Sequence, residues 1–475
     1  MFNARMGSQP ITFFACLFIA CLFLSTMAIA APSITLSRKT GPPTIGIRVS
    51  GSGFAPNAKV DIFFGAKDEV LVVTDGQGEF KDARIHAPRN ARPGEHRVEA
   101  LERDNGKRAH EPFLVQTDWR QLHREDMTRL NPFENVLNPK TARNLGLKWS
   151  YATGHFVISA PAVANGLVYV SSADSRVYAL NASTGSEAWR YTTGSFVYSS
   201  PAVANGLVYF GSYDYNLYAL NASTGTKLWS YATGSEIDSS PTVAEGVVYV
   251  GSLDHNLYAL NASTGAKLWS YTTGGDVDST PVVANGVVYV GSNDDNVYAL
   301  NASTGAKLWS FATGDYATGL AVADGVVYAS SNDHNLYALN ASTGSKLWSF
   351  TTGYFVVSSP AVVNGMVYFG SVDGNVYALQ ASTGTKLWSY ATGNSVESSP
   401  AVANGVVYVG SADFNVYALN ASTGVKLWSY TTGNQVPSSP AVANGVVYVG
   451  STDFSVYAFG LPDGDGADQG ASKRP

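Results

Sequence analysis

Tryptophan recurs at a nearly constant spacing through the last two thirds of this 475-residue chain. The interval is 40 residues, with a single interval of 39 between Trp309 and Trp348. A period of this length predicts an array of similar units that stack to share one core. The recurring residues are Trp149, Trp189, Trp229, Trp269, Trp309, Trp348, Trp388 and Trp428.

Each unit holds four short β-strand candidates. In one unit they are Ser240–Val243, Val247–Gly251, Leu257–Leu260 and Lys267–Tyr271, separated by turns rich in Gly, Asn, Asp, Ser and Thr. β-Branched and aromatic residues fill these segments, as half-buried pleated strands favour. A helical repeat needs runs of about ten residues without Gly or Pro. No unit has two such runs, so helical solenoids are excluded.

Four antiparallel strands in each of eight units predict an all-β chain with an eight-bladed β-propeller over residues 145–460. The last unit ends after Val456–Phe459 and lacks the strand that carries Trp. Leu145–Trp149, ahead of the first unit, has the sequence of that missing strand. We therefore expect the N-terminal strand to complete the eighth blade and to close the ring without a free edge.

The segment Ala179–Trp189 resembles the tryptophan-docking motif of pyrroloquinoline quinone (PQQ) repeats, Ala-x-Asp-x-x-Thr-Gly-x-x-x-Trp, with Asn in place of Asp. The motif occurs in seven copies, and Gln380 takes the Asn position once. The resemblance implies that each recurring Trp has a structural role, packed on the next blade. The family includes PQQ-dependent alcohol dehydrogenases and non-enzymatic propellers such as the outer-membrane β-barrel assembly lipoprotein, so the resemblance leaves the function open.

Residues 1–30 are interpreted as an export signal. Ile11–Ala30 is almost entirely apolar, and the small residues Ala28 and Ala30 predict cleavage after Ala30. An uncleaved membrane anchor or lipidation at Cys21 are the alternatives. The chain's two cysteines both lie in this segment, so the cleaved chain has no thiol for a disulfide, a metal site or a nucleophile. We expect an exported protein (periplasmic, envelope-associated or secreted) with no membrane insertion after cleavage.

Residues 32–116 carry no repeat and contain seven strand candidates between Gly- and Pro-rich turns. This pattern is typical of a small β-sandwich. The stretches Gly41–Pro43, Val49–Asn57 and Pro93–His96 resemble immunoglobulin-like modules of the IPT/TIG type. The resemblance implies a spacer or adhesive unit.

Residues 117–144 form a polar connector that resembles the lead-in found before PQQ-type propellers. His123, Glu125 and Asp126 are interpreted as part of this packed connector, not as a site. Residues 461–475 contain an acidic Gly-rich stretch without the ligand spacing of a calcium loop. We expect this tail to be disordered.

Charge is sparse and unevenly distributed. Only 14% of residues are charged. Residues 32–145 hold 18 Lys and Arg against 15 Asp and Glu, whereas residues 146–475 hold 11 against 21, a net charge of −10. An acidic propeller repels phosphate backbones, so nucleic acid is not an expected partner.

In an up-and-down blade, successive turns alternate between two faces of the ring. The face with nearly identical Ala-Asn-Gly and Asn-Ala-Ser-Thr-Gly turns is called here the constant face. The variable face holds the turns between blades and the turns between second and third strands, which differ from unit to unit. Residues that differ among near-identical copies are free to specify a partner, and exposed aromatic residues are typical of recognition surfaces.

The variable face is therefore the predicted binding face for a protein or glycan partner in the cell envelope or outside the cell, or for a cation. The alternative is that these turns have no binding role, because unconstrained sequence drift at a solvent-exposed rim would produce the same variation. Its aromatic candidates are Phe156, Phe196, Tyr198, Tyr213, Tyr215, Tyr316, Tyr354 and Phe355. Its acidic candidates fall in consecutive blades and predict one acidic sector: Glu236, Asp238, Asp276, Asp278, Asp295 and Asp315.

Two further polar positions recur once per unit. An Asp follows each second strand, as at Asp254, and a residue repeated in every blade cannot be a unique catalyst. The Asn of the Asn-Ala-Ser-Thr turns, as at Asn261, also matches a glycosylation sequon. For both positions we predict side-chain hydrogen bonds that cap the turn.

An enzyme of the PQQ type needs a cationic cradle for a quinone with several carboxylates. The inner strands contain no Lys, Arg or His, and Arg176 is the only Lys or Arg of the variable turns. The vicinal cysteine pair of the enzymes and a haem motif are also absent. The sequence therefore favours a non-catalytic binding or scaffold propeller without cofactor or metal; the alternative is a quinoprotein dehydrogenase of alcohols or sugars that uses PQQ and Ca²⁺.

Overall fold

The computed structural model describes residues 31–122 and 129–462. The predicted signal segment, the group of His123, Glu125 and Asp126, and nearly all of the predicted tail lie outside these residues. Within them, no helix is long and apolar enough to cross a membrane. The fold is all-β, as predicted.

Residues 33–115 form two facing sheets. The first is three-stranded, with the order β1-β3-β6, and the second is five-stranded, with the order β2-β8-β7-β4-β5. One apolar core joins them, with Ile47 and Ile85 from the first sheet and Ile62, Val98 and Phe113 from the second. The module is thus a β-sandwich; its likeness to the IPT/TIG type stays a prediction. The strands are β1 (Ser33–Leu36), β2 (Thr40–Gly41), β3 (Gly46–Ser52), β4 (Lys59–Phe64), β5 (Lys67–Val73), β6 (Phe80–His86), β7 (Gly94–Glu102) and β8 (Arg108–Val115).

The connector contributes β9 (Leu130–Asn131) and a short 3-10 helix, Thr141–Asn144. Eight antiparallel blades of four strands then follow around a ring, which confirms the predicted propeller, and β9 adds a fifth strand to the sheet of blade 7. In blades 1 to 7 the strands run from the hub outwards in chain order. Blade 1 consists of β11 (Ala162–Ala164), β12 (Leu167–Ser172), β13 (Arg176–Asn181) and β14 (Glu187–Thr192), and blade 2 of β15 (Ala202–Ala204), β16 (Leu207–Gly211), β17 (Asn216–Asn221) and β18 (Lys227–Ala232). Blade 3 consists of β19 (Thr242–Ala244), β20 (Val247–Gly251), β21 (Asn256–Asn261) and β22 (Lys267–Thr272), and blade 4 of β23 (Val282–Ala284), β24 (Val287–Ser292), β25 (Asn296–Asn301) and β26 (Lys307–Ala312).

Blade 8 closes the ring by joining the two ends of the propeller. Its outermost strand is β10, which pairs antiparallel with β41, so that Tyr151 lies opposite Val456. The inner strand of this blade in turn contacts that of blade 1. The remaining strands are β10 (Gly146–Ala152) for blade 8; β27 (Ala317–Ala323), β28 (Val326–Ser331), β29 (Asn335–Asn340), β30 (Lys346–Thr351) for blade 5; β31 (Ala361–Val363), β32 (Met366–Gly370), β33 (Asn375–Gln380), β34 (Lys386–Ala391) for blade 6; β35 (Ala401–Ala403), β36 (Val406–Gly410), β37 (Asn415–Asn420), β38 (Lys426–Thr431) for blade 7; and β39 (Ala441–Ala443), β40 (Val446–Gly450), β41 (Ser455–Gly460) for blade 8.

The second and third strands of each blade are buried on both faces because each blade packs between two others. In β20, for example, four of the five residues are buried, whereas β22 alternates between exposed and half-buried positions. The apolar clusters accordingly span neighbouring blades: Tyr209 and Leu217 of one blade pack with Val248 and Val250 of the next. The core is thus a set of interfaces between blades, and continuous apolar strands are what such double burial requires.

Blade 5 has a longer inner strand than the other blades. The inner strands of the other seven blades have three residues and begin directly after a proline, such as Pro281 before β23. Leu320 occupies the proline position in blade 5, and β27 extends back to Ala317, which pairs with Ser331. Proline has no amide hydrogen for the ladder, so its replacement by Leu permits the extension.

Serine side chains link the blades around the hub. The hydroxyl of Ser239 donates to the carbonyl oxygen of Ser279 over 2.8 Å, one blade further on. The hydroxyl of Ser438 in blade 8 donates to the carbonyl oxygen of Ser159 in blade 1, also over 2.8 Å. These contacts satisfy buried backbone groups that the short inner strands leave without ladder partners.

Candidate functional site

The variable face is held together by hydrogen bonds between neighbouring turns. The amide of Leu253, in the turn after β20, donates to the carbonyl oxygen of Glu236 in the turn that enters the blade. The Thr233 hydroxyl donates to the carbonyl oxygens of Tyr215 and Ser235, at 2.9 and 2.7 Å. Each inter-blade turn is thereby fixed to the adjacent blade, so side chains on this face project from a rigid base.

The recurring Asp residues cap these turns, as predicted. The Asp254 carboxylate accepts hydrogen bonds from the Gly234 amide, the Asn256 amide and the Tyr258 hydroxyl, at 2.7, 3.0 and 2.7 Å. Burial opposes ionisation of Asp254, but the hydrogen bonds outweigh it and lower the pKa of the carboxyl. The group serves the turn and stays ionised, which fits a structural role.

An arc of aromatic rings crosses the variable face from blade 8 to blade 2. The ring of His155 stacks on Phe454 and Phe196, with centroids 5.3 and 6.4 Å away. Phe196 contacts Tyr198 at 5.8 Å, and Tyr198 meets Tyr213 edge-on at 4.9 Å. Phe196 and Phe454 are 45% and 41% exposed, so the arc presents apolar surface to solvent.

The remaining aromatic candidates lie elsewhere on the same face. Phe156 packs beside His155 at the start of the arc, with ring centroids 4.4 Å apart. Tyr354 and Phe355 stack with centroids 4.3 Å apart, and His334 contacts both rings. Tyr316 and Tyr215 are exposed. Six of the aromatic candidates therefore fall into one continuous arc and a separate group around Tyr354, and Tyr215 and Tyr316 belong to neither. His155, His334 and Phe454 also belong to these groups; they were not among the predicted candidates, although they lie in variable turns.

The six acidic candidates separate into two groups. Asp238 and Asp278 line a cavity of about 390 Å³ at the hub, together with Tyr316 and Asn332. The other four, which lie outside that cavity lining, are Glu236, Asp276, Asp295 and Asp315. The predicted single acidic sector thus resolves into a half-buried pair in the cavity lining and a rim of four carboxylates outside it.

The two carboxyls in the cavity lining, Asp238 and Asp278, both have raised pKa values. Burial, and the nearby charge of Asp278, raise the pKa of Asp238 from 3.8 to about 6, against a lowering contribution from the Tyr213 hydroxyl. Burial likewise raises the pKa of Asp278, although the Asn293 side-chain amide donates to it over 3.3 Å. Two desolvated carboxyls that share a cavity disfavour each other's ionised form.

The rim carboxylates have solvent and local partners. Ser235 hydrogen-bonds to the Glu236 carboxylate and lowers its pKa. Asp276 lies 3.2 Å from the Nε2 atom of His255. The Asp315 carboxylate accepts a hydrogen bond from the Tyr316 amide at 2.7 Å. These exposed contacts contribute little stability, and their charges remain available to a partner.

The connector seals the constant-face end of the hub. Trp119 is fully buried and pairs with Val163 of β11, with N–O distances of 2.8 and 2.6 Å. The carbonyl oxygen of Arg120 accepts from the Val203 amide of β15 at 2.7 Å. In blade 7, β9 adds a parallel strand to β35. The described parts of the connector therefore contact blades 1, 2 and 7, which are distant in sequence.

Arg129, from the connector, places a cationic residue at the hub, where the inner strands have none. Its guanidinium is fully buried and donates to the carbonyl oxygens of Pro400 and Ser399, at 2.7 and 3.0 Å. It lies 5.8 Å from the ring of Trp119. Burial lowers its pKa to about 9, so the group is still charged at neutral pH. Sequence analysis missed Arg129 because it lies outside the repeat; the ninth tryptophan, Trp119, was the available signal.

Seven of the eight recurring tryptophans dock on the following blade as the motif implies. The indole of Trp229 donates to the carbonyl oxygen of Ala262 at 3.1 Å, and that oxygen also accepts from Tyr209. Trp428 differs because blade 8 has no Asn-Ala-Ser-Thr turn to receive it; its ring packs edge-on against Phe459, at 5.0 Å. The docked set is Trp149, Trp189, Trp229, Trp269, Trp309, Trp348 and Trp388.

The sequon-like turns are capped, as predicted. The side-chain oxygen of Asn261 accepts hydrogen bonds from the amides of Ser263 and Thr264, both at 3.0 Å. The equivalent residues in five other blades make the same pair of bonds; they are Asn181, Asn221, Asn301, Asn340 and Asn420. The constant face is therefore built from turns whose polar side chains are used internally.

The fold and this face define a closed eight-bladed β-propeller with one capped face and one varied face. The sequence matches the family described as outer membrane protein assembly factor BamB, over residues 94–241, 233–320, 313–399 and 392–469. The chain belongs to this family. No curated protein matches it.

Solved structures of two kinds share the fold. BamB from Moraxella catarrhalis is 22% identical, with a TM-score of 0.59 over 67% of this chain and 100% of that one. A europium-containing methanol dehydrogenase is 16% identical, with a TM-score of 0.64 over 72% and 98%. The quinohemoprotein alcohol dehydrogenase from Comamonas testosteroni is 19% identical, with a TM-score of 0.62 over 73% and 82%. These likenesses establish the fold alone.

The described lining of the hub cavity supplies no cationic side chain for PQQ. The quinone carries several carboxylates, whereas the described lining holds Asp238 and Asp278 and no Lys, Arg or His. Arg129 is committed to backbone carbonyl oxygens and does not line the cavity. A polyanion placed against these two carboxyls would cost several kcal/mol unless a bound cation such as Ca²⁺ paired them.

Proposed function

We propose that the protein is an exported, non-catalytic binding or scaffold propeller that recognises its partner through the variable face. The observation that carries the proposal is the contrast between the faces. Exposed aromatic residues such as Phe196, Tyr316 and Tyr354 project from turns that differ between blades, whereas the constant-face turns are nearly identical from blade to blade. Exposed aromatic surface on a rigid base is what a recognition face requires.

The fold family supports a partner in the cell envelope. The matching family is described as an assembly factor of the outer membrane, and that description belongs to its named member. A partner outside the cytoplasm would agree with the predicted export signal at residues 1–30. The sandwich of residues 33–115 then acts as a spacer. The Asn135 side chain donates to the Ala91 carbonyl oxygen at 2.7 Å, which fastens the sandwich to the connector at the opposite end of the hub from the variable face.

Site-specific photo-crosslinking in native cells tests the proposal. A photoreactive phenylalanine analogue at Phe196 or Tyr354 should capture a discrete partner. The same analogue at Ser223, exposed in a constant-face turn, is the matched control and should capture none. Equal crosslinking from both faces, or none from the variable face, would refute the assignment of the binding face.

The competing function is a quinoprotein dehydrogenase of alcohols or sugars. Its support is the fold shared with two such enzymes. Purified protein incubated with PQQ and Ca²⁺ should show no dye reduction with alcohols or sugars. Turnover in this assay would overturn the non-catalytic assignment.

A further inference from the structure

The hub cavity on the variable face is lined by the carboxyls of Asp238 and Asp278 and by the amide of Asn332, and none of its described lining residues is Lys, Arg or His. The other polar residues of the lining carry hydroxyl groups; they are Ser279, Thr280, Tyr316, Thr318, Ser359 and Ser399. The side-chain oxygen of Asn332 is buried and has no hydrogen-bond partner within the described residues. The same holds for the side-chain oxygen of Asn293, whose nitrogen donates to Asp278. A buried acceptor without a partner is unfavourable, and a ligand that donates a hydrogen bond to it would remove this cost.

No cation compensates the two carboxyls within the structure as described. None of the ion pairs between described residues includes Asp238 or Asp278. The described residues also hold no group of three or more His, Cys, Asp or Glu able to bind a metal ion. An organic cation that brings its own donors would complement this lining. A Lys ammonium has three donors and an Arg guanidinium has five, and neither group accepts.

The aromatic arc is linked to the cavity lining through Tyr213. The hydroxyl of Tyr213 hydrogen-bonds to Asp238, and its ring meets Tyr198 at 4.9 Å. From there the arc continues through Phe196 to His155 and Phe454 on blade 8. A small amine would need only the cavity. An arc that spans three blades suits a longer ligand with apolar groups next to its cation.

We propose that this site binds an extended polypeptide segment by taking one Lys or Arg side chain between Asp238 and Asp278 while the flanking apolar residues pack on the aromatic arc. The proposal rests on the proposed function and names its partner class. Charge complementarity selects a basic polypeptide, since residues 146–475 hold 11 Lys and Arg against 21 Asp and Glu. Aromatic rings beside the carboxyls add cation–π attraction for the same groups.

Peptide binding to the full-length protein tests the site. The probes are capped hexapeptides with Lys or Arg at the third position and Phe, Leu, Ser or Gly elsewhere, together with matched peptides that carry norleucine. Binding should require the cation and should weaken roughly tenfold or more in Asp238→Asn/Asp278→Asn, as loss of a desolvated charge partner predicts. It should also weaken in Phe196→Ala/Tyr198→Ala. The constant-face variant Glu245→Gln/Asp324→Asn removes the same charge from exposed turns on the other face and should change binding less than about threefold.

Three results would overturn the proposal. Equal losses in the cavity and constant-face variants would indicate unspecific charge attraction. Equal binding of the Lys and norleucine peptides would show that the cation does not contribute to binding. Aromatic-dependent binding of a neutral oligosaccharide such as cellohexaose, with no peptide binding, would assign the arc to a glycan. The last two results leave the proposed function intact if photo-crosslinking at Phe196 still captures a partner, so the two failures are distinguishable.

Discussion

The docking of Trp229 depends on the absence of a side chain at Gly265, and this contact gives the sharpest test of the packing. A Cβ atom added at Gly265 would lie 2.7 Å from the Cε3 atom of the Trp229 ring. The residue also has a φ of +73°, where L side chains are strained. Gly246 in the same blade has a φ of +80° with nothing within 4 Å of an added Cβ, and it provides a matched control.

The two substitutions separate backbone strain from steric conflict. In Gly246→Ala the left-handed backbone alone should cost about 1–2 kcal/mol. In Gly265→Ala the same strain applies, and the Trp229 ring must also move away from the turn. Overpacking of this kind costs about 1–3 kcal/mol more, in part because the 3.1 Å hydrogen bond to Ala262 is lost. We therefore expect Gly265→Ala to be the more destabilising change by about 2 kcal/mol.

Urea unfolding followed by tryptophan fluorescence and by far-UV circular dichroism measures this difference. The midpoint for Gly265→Ala should lie well below that for Gly246→Ala, with coincident transitions from the two probes. Equal midpoints would refute the reasoning, because they would show that the ring adapts without cost and that docking does not hold the blades together.

Three further substitutions probe the turns, the cavity and the hub. Glu245 has a φ of 48° where six other blades have Asn, so Glu245→Asn should raise the unfolding free energy by about 0.5–1 kcal/mol. Asp238→Asn should stabilise the protein by up to about 3 kcal/mol at pH 7.5, since ionising this desolvated carboxyl opposes folding. Its folded pKa is raised to about 6, so the wild type loses stability as pH rises from about 4 through 6, and the gain should vanish below pH 4. Arg129→Met leaves the carbonyl oxygens of Pro400 and Ser399 without their donor and should cost about 3 kcal/mol. Urea titrations measure all three. A destabilised Glu245→Asn, a pH-independent gain for Asp238→Asn, or an unchanged midpoint for Arg129→Met would contradict these expectations.

The repeat made most of the propeller predictable, because its signals are local. The period of Trp229 and its equivalents gave the number of blades, and the turn residues Asp254 and Asn261 act through hydrogen bonds to neighbours within their own or the adjacent blade. Strand order then follows from short connections, which leave few topologies open. Closure through β10 was predictable because one strand was missing at one end and one extra was present at the other.

Features that depend on single, non-repeated contacts could not be predicted. Arg129 bonds to carbonyl oxygens 270 and 271 residues away, and no spacing rule connects such positions. The acidic candidates illustrate the same limit. The sequence predicts Asp238 and Asp276 in one acidic sector, whereas the structure shows that Asp238 lines the cavity and Asp276 does not. Trp428 matches the motif of the others yet has no turn to dock on, because the chain ends the blade differently.

The pairing of β10 with β41 means that the ring cannot close until the last propeller strand has been synthesised. β10 leaves the ribosome before any other propeller strand, yet its partner is the last strand to be made. Until that partner arrives, the inner faces of blades 1 and 7 have no blade between them to cover their apolar side chains. A chain truncated by one blade would therefore expose apolar blade surfaces at both ends of an open ring. We expect proteases to degrade such a chain.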